Sequence, residues 1–152
     1  MYGYQHVLAP VDFSETGSIV IKRAKEIAER YDARLSLLHV VQDVAPLGAE
    51  PFGEPSALII NEELREQQLK QAEEKLEELA HQHDLPLSVD RAIAEGFTTD
   101  AILEFASEKQ VDLIVIAHSG KKGFFGLLGS TADSVVKSAK CDILVIRNLA
   151  DE

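Results

Sequence analysis

The sequence predicts an open, doubly wound α/β sheet of five parallel strands joined by four helical crossings, and three observations carry that prediction. Short apolar runs rich in β-branched residues alternate with stretches of helical periodicity from one end of the chain to the other. A complete strand–helix–strand unit is finished by residue 41, and such units build parallel sheets through right-handed crossovers. The segment from Val111 to Thr131, VDLIVIAHSGKKGFFGLLGST, runs from a buried-type strand through a glycine loop into a helix start.

Taken in order, His6 to Val11 reads as a short buried strand, with Pro10 at its end, where a missing N–H does least harm. Asp12-Phe13-Ser14 leads into a helix that Ser14 is expected to cap, with Val20, Ala24, Ile27, Ala28 and Tyr31 on its inward face. Arg34 to Val41, RLSLLHVV, is the second strand. From Gln42 to Ala57 the prolines and glycines at 46, 48, 51, 53 and 55 argue against regular structure. A loop of that length serves as a lid or binding edge, or as a variable surface insertion, and the residues favour neither. A solvated amphipathic helix follows over Asn61 to His83, with Leu64, Ala72, Leu76, Leu79 and Ala80 facing inward.

Leu87 to Ala94 is the third strand and Thr98 to Gln110 the third helix. The fourth strand opens at Val111 or Asp112 and carries the apolar run Leu113 to Ala117. Gly120, Gly123, Gly126 and Gly129 then fall within ten residues, and Ser130-Thr131 form an expected N-cap pair for a helix over Ser130 to Lys140. Asp142 to Arg147 is the fifth strand. No repeat, linker or low-complexity tail divides the chain, so residues 1–152 read as one domain.

Composition narrows the function classes. With 26 acidic against 15 basic residues, the net charge of −11 argues against binding to nucleic acid or to anionic membranes. No run approaches the roughly 18 apolar residues of a membrane span, and no cationic leader precedes a long apolar one, so a cytoplasmic protein is expected. Cys141 is the only cysteine, which excludes an intrachain disulfide and multi-cysteine metal sites. At the start of an apolar strand it reads as a small buried hydrophobe.

Chemistry concentrates in the glycine segment. N–H groups of a loop and of a first helical turn lack intrachain partners, the helix dipole adds positive potential there, and glycine lets a phosphate approach with no Cβ in the way. The segment has neither the GK[ST] ending of a P-loop nor a GxGxxG turn. Asp12, at a strand end among apolar residues, needs donors; ribose hydroxyls or an adenine amine would supply them, and capping the next helix is the structural alternative. Around this site stand His118, Ser119, Lys121 and Lys122, but no spaced acid pair, Walker-type lysine or metal cluster. No catalytic residue is therefore assigned, and slow hydrolysis of a bound nucleotide stays open. His39 reads as a satisfied strand histidine, and His81 with His83 stand two apart on different faces of a helix, a poor metal geometry.

AHSG at 117–120, eight residues, GST at 129–131 and then CDILVIR together resemble the nucleotide-binding segment of the universal stress protein family. HVLAPVDFSE is similar to that family's first strand and acidic turn, so the likeness spans nearly the whole chain. Two departures stand out: Ala117 replaces the usual opening glycine, and eight residues separate Gly120 from Gly129 where many members carry nine. The resemblance implies the strand order 3-2-1-4-5, helices on both faces, of the adenine nucleotide alpha hydrolase-like kind. The winding then reverses between strands one and four, the point at which such sheets bind ligands.

It further implies a site of Ala9, Pro10, Val11 and Asp12 facing His118 to Ser130. Val40 would offer main-chain groups to adenine, Ala117 and Gly120 would line the ribose and first phosphate, and Gly129, Ser130 and Thr131 would receive the outer phosphates. The ligand implied is ATP or another adenine nucleotide, with Mg on its phosphates rather than on protein ligands. The expected protein is thus a stress-response or regulatory module with little or no turnover. A dimeric interaction protein with a vestigial or other small-anion pocket is the alternative. A homodimer is expected through Asp142 to Arg147, an apolar edge strand in that order, and the residues name no other protein partner.

Overall fold

The computed structural model describes residues 3–42, 55–119 and 127–148, with 55–61, 119, 127–130 and 148 described by their backbone alone. Nine elements alternate among the described residues: β1 (His6–Pro10), α1 (Glu15–Tyr31), β2 (Arg34–Val41), α2 (Pro55–Gln82), β3 (Asp90–Glu95), α3 (Thr98–Glu108), β4 (Leu113–Ser119), α4 (Leu127–Ser138) and β5 (Asp142–Asn148). All strand pairs are parallel, in the order β3-β2-β1-β4-β5. The expected order is therefore observed, with the reversal of winding between β1 and β4.

The two faces follow from the period-two alternation of buried strands. Val7 and Ala9 of β1 and Leu113, Val115 and Ala117 of β4 pack with Val20, Ile21, Ala24 and Ala28 of α1 and Leu76 and Ala80 of α2. Leu8, Ile114 and Ile116 point the other way, onto Ala101, Ile102 and Ala106 of α3 and Ala132 and Val135 of α4. Each fully buried Leu or Ile in these layers is worth about 1.5–3 kcal/mol relative to exposure. At the amino end of the sheet, Asp112 accepts the N–H groups of Gln5 and His6, both at 2.9 Å, which ties the start of β1 to the approach of β4.

Several expectations needed correction. Tyr31 lies half exposed at the end of α1, edge-on to Tyr4 at 5.3 Å, while the unanticipated Ile21 is fully buried. Leu64 is also half exposed. Eight residues of helix turn through roughly 80° beyond two full revolutions, so it stands well round the helix from Ala72. α2 begins at Pro55 rather than Asn61, because a proline at the first helical position gives up only an N–H that the helix leaves unpaired. β3 begins at Asp90, not Leu87: Pro86 to Val89 close a turn in which the Val89 N–H donates to the Pro86 carbonyl at 3.0 Å, leaving Leu87 exposed.

α3 stops at Glu108, short of Gln110, which takes the left-handed conformation (φ 56°) while the Val111 N–H closes on the Ala106 carbonyl at 2.9 Å. α4 begins at Leu127, three residues before Ser130, and ends at Ser138. The helix-favouring Leu127-Leu128 extends it past the expected cap, so Ser130-Thr131 lie within its first turns and do not cap it. Most of the 42–57 loop, residues 43–54, falls outside the described residues.

Candidate functional site

A cavity of about 320 Å³ opens at the carboxyl ends of the strands, across the β1/β4 reversal. Its inner wall is apolar, from Val20, Leu38, Val40, Ile102, Ile116 and Ala132, and its rim carries Asp12, Thr16, Gln42, Thr98 and Thr131. An apolar slot with a few polar groups at its mouth suits a flat heterocycle with a polar tail. The Gln42 amide donates to Thr98 Oγ1 at 3.2 Å and the Gly96 N–H to the Val41 carbonyl at 3.1 Å, fastening the end of β2 to the β3–α3 junction along one rim. Gly96, at φ 121°, has the backbone conformation that side chains rarely adopt.

The turn after β1 is built by its own side chains. Asp12 Oδ1 accepts from the Ser14 N–H at 3.1 Å and from the Ser14 hydroxyl at 2.5 Å. Ser14 Oγ in turn accepts from the Thr16 N–H at 3.2 Å, which makes Ser14 the N-cap of α1 as the sequence predicts. Asp12 is therefore not the cap; it anchors the cap with one oxygen. No described residue donates to its other oxygen, which is exposed at the cavity mouth.

Of the residues implicated by sequence, Pro10, Val11, Asp12, Val40, Ala117 and Thr131 line the cavity. Ala9 does not: strand alternation turns it into the core on the α1 side, where it is fully buried. His118 is half-buried, one residue beyond the cavity wall, and its buried Nδ1 has no hydrogen-bond partner among the described residues. Gly129 and Ser130 fall in the first turn of α4, and the Gly129 N–H is among the four that a helix leaves without intrahelical acceptors. Gly120, Lys121 and Lys122 lie outside the described residues.

Sequence reasoning missed Thr16, Gly17, Val20, Leu38, His39, Gln42, Thr98, Ile102, Ile116 and Ala132 as cavity residues. Thr98 carried a signal, since it opens a helix directly after a strand, at the ligand-binding edge of such a sheet, and Gln42 another, as the first residue of a loop long enough to serve as a binding edge.

An exposed ion pair joins α2 to the end of β3. Arg65 grips the Glu95 carboxylate at 2.6 and 2.7 Å and holds that carboxyl below its usual range. Away from the cavity, burial pushes the Cys141 thiol up, in keeping with a packing role rather than a nucleophilic one. Among the described residues no group of three or more His, Cys, Asp or Glu side chains is placed to hold a metal, and no helix is long and apolar enough to cross a membrane.

Comparison with known proteins gives this geometry its family. The chain is 32% identical over 143 residues to universal stress protein A homolog 1 of Coxiella burnetii, covering 94% of this chain and 96% of that one. The solved structure of the Methanocaldococcus jannaschii protein MJ0577 superposes with a TM-score of 0.78 at 26% identity, over 97% of this chain and 98% of that one. A universal stress protein family protein of Arabidopsis thaliana, solved with AMP bound, shares the fold with a TM-score of 0.60 at 20% identity, over 97% and 94% of the two chains. The sequence pattern of the universal stress protein family matches residues 3–147, and the chain belongs to that family.

Proposed function

We propose that this protein is a small regulatory module of the stress response that holds an adenine nucleotide in the β1/β4 cavity and turns it over slowly or not at all. The observation that carries the reading is the alignment of three features at one strand edge. An apolar slot runs past Val40, Ile102 and Ala132, the Asp12 oxygen to which no described residue donates stands at its mouth, and the first turn of α4 carries Gly129-Ser130 beside Thr131. In this reading the base lies in the slot against main-chain groups of Val40, the ribose hydroxyls donate to Asp12, and the phosphates meet the unpaired N–H groups of α4. The family motif assigns Gly120, with Ala117, to the ribose and first phosphate. The AMP-bound Arabidopsis thaliana protein supports it, because the same fold there accommodates an adenine nucleotide.

ATP is the ligand favoured, with Mg held by its phosphate oxygens and water. The 152 residues act as one cytoplasmic domain, paired into a homodimer through β5, whose Val145 is partly exposed. A second reading, a dimeric interaction protein whose pocket takes another small anion, draws on Ala117, whose methyl group borders the cavity where the family motif has glycine. Denaturing freshly purified protein and weighing the released small molecules by mass spectrometry separates the two. AMP, ADP or ATP is expected; a different small anion in its place supports the second reading.

A further inference from the structure

Asp12 is held through its neighbours. His39 Nδ1 lies 2.8 Å from the Val11 carbonyl oxygen, and since a carbonyl only accepts, Nδ1 carries the hydrogen and donates. The same imidazole lies against the Phe13 ring, with centroids 4.0 Å apart and planes tilted by 31°. Phe13 adopts φ 58°, a left-handed conformation that a bulky residue keeps only where its surroundings impose it. Lys75 of α2 places its ammonium 5.8 Å from the Phe13 ring centre, on the margin of a cation–π contact. The Val11 N–H meanwhile donates to the Leu38 carbonyl at 2.8 Å, so both peptide groups of Val11 are held by β2. Planarity of the next peptide then fixes the Asp12 N–H on the side away from His39.

We infer that His39 is a positioning residue of the ligand site: one side chain grips both chain neighbours of Asp12, Val11 by a hydrogen bond and Phe13 by stacking, and thereby sets the direction in which the Asp12 carboxylate meets ligand hydroxyls. The inference rests on the reading in which Asp12 receives the ribose. It explains why a strand-end histidine at the cavity edge turns its donor to the main chain of the β1–α1 turn. It also explains how an otherwise unfavourable Phe13 backbone persists in the turn that aims the carboxylate.

The test compares binding of ATP with 2′,3′-dideoxyATP, which lacks both hydroxyls, by calorimetry. The unmodified protein is expected to prefer ATP by roughly ten- to a hundredfold, the share of a charge-assisted hydrogen bond. His39→Phe keeps a ring against Phe13 but loses the donor, and the preference should shrink at least fivefold. His39→Asn restores a donor near the Nδ1 position but offers Phe13 no ring, so it should recover part of the preference that His39→Phe loses. A histidine that merely stabilised the fold would weaken both ligands alike and leave their ratio unchanged, so an unchanged ratio in His39→Phe, or no recovery in His39→Asn, overturns the inference. If His39→Phe does not fold, Phe13→Ala removes the stacking grip alone and is read by the same ratio, with a fall expected and constancy refuting. Failure of the unmodified protein to bind ATP overturns the nucleotide reading itself. Binding without preference for ATP overturns only the placement of Asp12 and the role of His39.

Discussion

Replacing Asp12 by asparagine separates the turn-anchoring job of its carboxylate from the ribose contact proposed for it. The side-chain carbonyl of asparagine accepts from the Ser14 N–H and hydroxyl as Asp12 Oδ1 does at 3.1 and 2.5 Å, so the cap of α1 survives. The other position becomes an NH₂ group, which cannot accept from a ribose hydroxyl and carries no charge. The stability change should stay within about 0.5 kcal/mol, or a shift of roughly 2 °C or less in Tm for a chain of this size. Affinity for ATP should fall by about 1.5–3 kcal/mol, the worth of a hydrogen bond to a charged group, which is roughly ten- to a hundredfold. Asp12→Ala, which removes the turn anchor as well, should lose comparable affinity and also about 1 kcal/mol of stability. Calorimetric titration with ATP and thermal unfolding of each variant measure the two effects. If Asp12→Asn binds ATP as tightly as the parent, the carboxylate serves the turn alone and the ribose assignment is wrong.

The phosphate end is tested at Gly129. Gly129→Val should abolish ATP binding with the fold and assembly intact, Ser130→Ala should cost roughly ten- to a hundredfold in affinity, and Lys121→Ala with Lys122→Ala should cost less than either; parent-like affinity in Gly129→Val places the phosphates elsewhere. At the sheet edge, light scattering at micromolar concentration should find a dimer that Leu144→Pro or Val145→Pro disrupts by removing a ladder donor, and a monomeric parent refutes pairing through β5. For pH dependence, partial burial and the nearby charges of Lys22 and Lys25 lower the pKa of His83, whose Nε2 lies 3.2 Å from Ser18 Oγ. The unfolded chain then binds more protons, so the stability linked to this group is complete above about pH 6.5 and drains away as pH falls through the folded-state value. His83→Gln should flatten the loss of stability between pH 7 and 5.5 in denaturant titrations, and an unchanged slope removes His83 as its cause.

How far the molecule can be read from its residues depends on whether the information is local. The apolar runs HVLAP and LIVIA, the Ser14 cap and the inward face Val20, Ala24 and Ala28 are local, and each is found where the pattern puts it. Boundaries where two local preferences compete were misread. The helix-favouring Leu127-Leu128 outweighed the capping preference of Ser130-Thr131, and Pro55, taken as a breaker, opens a helix. Strand order came from family likeness, because no spacing within a strand says which strand lies beside it. Most of the apolar wall was hidden for the same reason: Leu38, Ile102 and Ala132 lie far apart in the chain and meet only through the crossovers. His39 looked like an ordinary strand histidine because its two contacts, Val11 and Phe13, lie 26 or more residues away.

Calorimetric titration of the unmodified protein with ATP and with GTP tests the central claim most directly. In the proposed pose the base meets main-chain groups of Val40 within the apolar slot, which suit the amine donor and ring acceptor of adenine and oppose the reversed pattern of guanine. ATP should therefore bind at one site per chain, at least about tenfold more tightly than GTP, a margin that needs only about 1.4 kcal/mol. Equal affinities would remove the adenine assignment, and the absence of ATP binding at millimolar concentration would contradict the nucleotide-binding account as a whole.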